Sequence, residues 1–114
     1  MSNIKNLSRL TDLAQLMLDH QLSVLRSSSD RLEQSRMQLS TVNQAAQPVD
    51  FDPIISTRVG LQYDRWADVR RSELNLVISR QTADWLEARG EAQTAFGRVQ
   101  ALNSLTTKLG EKLP

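Results

Sequence analysis

The stretch QAAQPVDFDPIIS, residues 44–56, holds two of the chain's three prolines and lies between two long segments of helical periodicity. It either interrupts one continuous rod or turns the rod back on itself. Proline lacks a backbone donor and clashes within a helix, so Pro48 is expected to end the first helix. Asp52-Pro53 has the form of an N-cap followed by proline at the first helical position. A stop and a fresh start within a few residues predict a turn over about 47–52. Helix 1 then covers about 3–46 and helix 2 about 53–110.

Both flanking segments carry heptad seams. Every seventh residue from Ile4 gives Ile4, Thr11, Leu18, Leu25, Leu32, Leu39 and Ala46, of which only Thr11 is not apolar. Three residues further along stand Leu7, Ala14, Gln21, Ser28, Ser35 and Val42. Apolar residues recurring every 3.5 residues over six repeats mark a coiled coil. The polar residues in its middle are expected to fix register or to form a tolerated wet patch. From Ala67, steps of four and three give Arg71, Leu74, Ile78, Gln81, Trp85, Ala88, Ala92, Ala95, Val99, Leu102, Thr106 and Leu109. That row is apolar except at Arg71, Gln81 and Thr106. Two complementary stripes either side of a turn predict an all-α fold, a long antiparallel two-helix coiled-coil hairpin forming a single domain over 1–114. Folding about residue 51 pairs positions whose numbers sum to about 102. Leu18 then faces Trp85, Leu25 faces Val77 and Ile78, Ala14 faces Ala88, Thr11 faces Ala92 and Leu7 faces Ala95. Helix 2 is expected to overhang helix 1 at its C-terminus.

Composition narrows the function. The 114 residues suffice for one small domain. At 39% hydrophobic and 4% aromatic residues, the chain is lean for a globule but adequate for helices that each bury one stripe. A net charge of +1 supplies no strong field for nucleic acid or an acidic membrane. The absence of cysteine excludes disulfides and thiolate chemistry. The opening MSNIKNLSRL has no apolar signal-peptide core, and no run approaches a membrane span, so a soluble, cytoplasmic protein without membrane insertion is expected. His20, the one histidine, falls on the outer face without metal-binding partners at helical spacing. No phosphate loop or nucleophile setting occurs, so neither catalysis nor a metal or cofactor is expected. Glu33, Asp68 and Asp84 have Arg36, Arg71 and Arg80 at helical spacing, as ordinary surface pairs.

Candidate binding residues remain. Leu13 and Leu16 lie on the outer face of helix 1, with Leu10, Met17, Leu22 and Val24 flanking the seam. Leu86 and Phe96 point away from the partner arm on helix 2. Clustered surface apolar groups mark an interface, either a homodimer forming a four-helix bundle or a foreign protein. Eleven of the fourteen basic residues are arginine, eight of them between Arg26 and Arg80. Arg65 and Arg70 are the candidates there for docking an acidic or aromatic partner. The alternative is a solvated face, because Asp30, Glu33, Asp64, Asp68 and Glu73 cancel most of that charge.

The second arm, YDRWADVRRSELNLVISRQTADWLEARGEAQTAFGRVQALNSLTTKL, resembles the C-terminal arm of the FliJ/YscO family, small coiled-coil hairpins of flagellar and type III secretion export. The likeness lies in Tyr63 and Trp66 at its opening and in the long amphipathic helix that follows. Its closing pattern of Ala95, Arg98, Ala101, Leu102 and Leu105 adds to it. LSRLTDLAQLMLDHQLSVL is similar to the family's opening helix. The resemblance implies a cytoplasmic, non-enzymatic export factor peripheral to the inner-membrane apparatus. Such a factor associates with the hexameric export ATPase ring and the export gate and cycles export chaperones. Two other readings stand beside it: a secretion chaperone binding one exported subunit, and a purely structural coiled coil.

Overall fold

A computed structural model describes residues 2–45 and 53–112. The fold is an all-α helical hairpin of two helices, α1 (Ser2–Gln44, 43 residues) and α2 (Pro53–Lys112, 60 residues). The expected turn, with the Pro48 stop and the Asp52 cap, lies outside the described residues, as does Ala46. α2 begins at Pro53, where a missing N–H costs the helix nothing. The seven threonines each donate their hydroxyl to the carbonyl four residues earlier, at 2.7–3.1 Å. Thr11 can therefore stand in the seam, because Leu7 O accepts its proton at 2.8 Å.

The contacts group into two compact units, one of Met1–Ser28 with Asp84–Pro114, the other of Ser29–Ala83. In the first unit Ala14, Leu18, Ala95 and Val99 form the core, with Leu102 packed against them and Ala88 and Ala92 also buried. In the second unit Val42, Ala67 and Leu74 form the core, flanked by Leu39 and Tyr63. Leu32 and Ser35 are buried there as well. On α1 the residues that are buried or half-buried are Leu7, Thr11, Ala14, Leu18, Gln21, Leu25, Ser28, Leu32, Ser35, Leu39 and Val42. These are the seam positions from Leu7 to Val42; the first one, Ile4, is exposed. On α2 the seam is covered from Ala67 to Leu102, while Thr106 and Leu109 are exposed.

The register differs from the one obtained by folding about residue 51. Leu18 does not face Trp85; it packs in one cluster with Ala95 and Val99. Layers of an antiparallel seam keep a constant sum, and 113 is the sum that sets Ala14 by Val99, Leu18 by Ala95 and Leu39 by Leu74 within the observed clusters, with Val42 and Ala67 in adjoining layers. Ala14, Thr11 and Leu7 accordingly stand opposite Val99, Leu102 and Thr106, and Leu25 opposite Ala88. The reason is size. A sum near 102 sets Leu18 against Trp85 and Ala14 against Ala88, large on large and then small on small, which two straight helices cannot both accommodate. At 113 every large residue of the first unit meets a smaller one, and Trp85 stands opposite Ser28. The end of α1 is displaced in the same direction. Its last buried residue, Val42, packs with Ala67, and Tyr63 donates to Val42 O at 2.6 Å. α2 has already run from Pro53 to Tyr63 by then, and at its other end every residue from Asn103 to Glu111 is exposed, as the expected C-terminal overhang requires.

Two measurements test this packing. Leu18→Cys with Ala95→Cys should close an intramolecular disulfide on mild oxidation. Leu18→Cys with Trp85→Cys should not, since those positions are offset by about 15 Å along the axis. The opposite pattern in non-reducing gels would reject the 113 register. Leu74 is only 2% exposed, so Leu74→Asp should lower unfolding free energy by several kcal/mol. Pro53→Ala should change it by about 0.5 kcal/mol or less. Denaturation curves that coincide for the two variants would contradict the seam.

Candidate protein-interaction surfaces

The described residues expose more large apolar side chains than they bury. The ten buried apolar residues include five alanines, whereas twenty larger apolar residues are exposed. Sequence candidates Leu13, Leu16, Leu86 and Phe96 are all among the exposed, at 53–67%. They do not make one patch. Leu13 lines an apolar groove of the first unit with Leu10, Ala14, Met17, Arg98, Ala101 and Leu102, a cavity of about 320 Å³. Leu16 is Leu13's neighbour one turn on but points directly away from the seam. Phe96 and Arg98 are two residues apart, hence rotated by about 200° on the helix. Since Arg98 borders the groove, Phe96 lies on the other flank of the hairpin. Leu86 belongs to that other flank too, in a row of Leu86, Arg89, Gln93 and Phe96 at helical spacing.

The two arginine candidates lie in the second unit. Arg70 pairs with Glu73 at 3.3 Å and reaches across to Gln38 Oε1 at 3.4 Å. Arg65 lines an open depression with Pro53, Ile54, Thr57, Arg58, Leu61 and Gln62, along one face of α2's first turns. The structure thus gives Arg70 a role within the hairpin and leaves Arg65 on a surface of α2.

A polar clamp near the end of α1 was not evident from the sequence. Tyr63 donates to Val42 O, one of the last-turn carbonyls that an ending helix leaves without intrahelical donors. Arg71 Nε donates to Asn43 Oδ1 at 2.7 Å, and its Nη1 meets Asp68 Oδ1 at 3.0 Å. That explains a charged residue in the seam: Arg71 lies across the interface with its head turned outward. Of the expected surface pairs, Asp68–Arg71 forms, whereas Glu33 and Arg36 are not ion-paired among the described residues. Tyr63 also sits against Trp66, ring centroids 5.5 Å apart. In the first unit Arg89 covers the half-buried Trp85 ring at 5.6 Å.

Gln81 is the other polar group in the α2 seam. In this register it stands opposite Leu32, and its Oε1 is buried without a hydrogen-bond partner. A buried acceptor left unmade costs about 1–3 kcal/mol. Gln81→Leu should therefore raise the unfolding free energy by about 1 kcal/mol, read by denaturant titration. A fall in stability would mean that the amide is engaged.

No group of three or more His, Cys, Asp or Glu side chains that could hold a metal occurs among the described residues. No helix among them is long and apolar enough to cross a membrane. Comparison with protein-family models, curated proteins and solved structures found no match.

Proposed function

We propose that this protein is a non-enzymatic coiled-coil component of a flagellar or type III protein export apparatus, acting by binding the export ATPase ring, the export gate or export chaperones. The observation that carries an interaction role is the surplus of exposed apolar side chains on a hairpin whose seam is already closed. Folding of a two-helix hairpin does not need Leu86 or Phe96, and exposed large apolar groups on one flank are the usual material of a protein interface. The export assignment is supported by the resemblance of the second arm, from Tyr63 to Leu109, to the FliJ/YscO family. The Leu86–Phe96 flank is the docking surface in this reading. It is separate from the Leu10–Leu13–Met17 groove, so it stays available whether or not that groove is covered.

The double variant Leu86→Ser, Phe96→Ser should keep its helicity and melt within about 0.5 kcal/mol of the parent, because both side chains are exposed. It should lose co-purification with the cognate export ATPase and any stimulation of ATP hydrolysis. Unimpaired binding and stimulation by a folded variant would remove the residue-level support for this function.

A further inference from the structure

We propose that the Leu10–Leu13–Met17 face of the first unit is covered by a second copy of this chain, giving a four-helix dimer with α1 on α1 and α2 on α2, both antiparallel. On this face α1 presents Leu10, Leu13, Met17 and Val24, exposed at 39–54%. Ala101 and Leu102 border the groove beside them on α2. On α2 Arg98 lines the groove, Asp84 and Glu91 precede it at heptad spacing with Glu87 between them, and Lys108 stands one heptad beyond the groove residue Ala101. Acids occupy one half and bases the other. None of these five charges has an intrachain ion pair among the described residues.

That order of charges selects the occupant and its orientation. Two hairpins can meet face to face about a two-fold axis in only two ways. With the axis along the helices, each α1 would lie over the partner's α2. Met17 would then meet Arg98, and Val24 would meet Glu87 and Glu91, burying charge against apolar groups at a cost. With the axis across the helices, at the level of Met17 and Phe96, each element meets its own copy reversed. Leu10 then faces Val24, and Met17 faces Met17. On the other helix Asp84 faces Lys108, and Glu91 lies beside Arg98. One operation satisfies the apolar row and the charged row together. A foreign partner would require the same antisymmetric charge order by coincidence, whereas a second copy supplies it necessarily.

The chain has no native cysteine, so single introduced thiols report the geometry directly. The intact protein should sediment at twice its 12.9 kDa mass. Met17→Cys should give a covalent dimer under mild oxidation, while Phe96→Cys, on the opposite flank, stays monomeric in non-reducing gels. Asp84→Lys should raise the dimer dissociation constant about three- to tenfold, because the pair occurs twice. Adding Lys108→Asp should bring it back to the parental value. A chain that sediments as a monomer at its highest soluble concentration would overturn the proposal, even if a foreign protein binds the groove. Faster crosslinking through Phe96→Cys, or a charge swap that does not restore association, would overturn it equally. These outcomes are independent of the Leu86–Phe96 variant, which leaves this face intact.

Discussion

A two-helix seam has no third layer to correct its spacing. Each layer must fill the same gap between the two axes, so a large residue on one helix requires a small one opposite. That requirement organises the first unit. Ala88, Ala92 and Ala95 give α2 a narrow stripe, and Leu18, Gln21 and Leu25 of α1 stand against it. Trp85 breaks the stripe and finds Ser28. The polar seam residue Ser28 therefore has a packing role: it leaves room for an indole, and Arg89 covers the indole from outside. A leucine at position 28 would force the axes apart at one layer and open the alanine layers beside it.

The second unit meets the same constraint with different means. Its seam contains Ser35, Gln81 and Arg71, groups that carry polar atoms into the interface. Arg71 is accommodated because its long stem covers apolar surface while its head bonds Asn43 and Asp68. Near the end of α1 such bonds flank the apolar contact of Val42 with Ala67, and Tyr63 satisfies a terminal carbonyl at the same point. Gln81 has no such outlet. Polar seam groups lower stability but penalise a slipped register, which would bury them against larger apolar residues. Gly90 and Gly97 weaken α2 without such a return. A Cβ at either position would meet nothing within 4 Å, so each costs about 1 kcal/mol relative to alanine.

How far the sequence exposed all this depends on the range of the interaction concerned. Seam membership is a property of one helix, set by its own 3.5-residue repeat, and the α1 positions from Leu7 to Val42 follow it. The register is a property of two helices and of where one ends against the other. Folding the numbering about residue 51 assumed that α2 faces α1 from its first turn. The contact of Tyr63 with Val42 shows otherwise, and it spans 21 residues with no local signature. The pairing was nevertheless constrained by residue sizes, since only the shifted register gives Trp85 a small partner. The exposure of Leu13, Leu16, Leu86 and Phe96 followed from their positions off the seam. Their division between flanks needed one more step, the 100° turn per residue counted from each helix's own seam line.

That division bears on how a small hairpin can hold two associations at once. A helix has about 360° of surface, and a seam takes roughly 100° of it. Two flanks and an outer face remain on each arm. In the first unit the flank bearing Leu10, Met17 and Arg98 is apolar on α1 and charge-ordered on α2, a pattern suited to a copy of itself. The flank bearing Leu86, Arg89, Gln93 and Phe96 lacks any such antisymmetry. Its apolar groups are separated by polar ones, and its cation is engaged with Trp85. A surface of that kind gains nothing from meeting its own reverse, because Phe96 would be set against polar neighbours. It suits a partner whose own surface supplies the apolar pocket. The proposed self-association and the proposed recognition thus would not compete, since they draw on opposite sides of one seam.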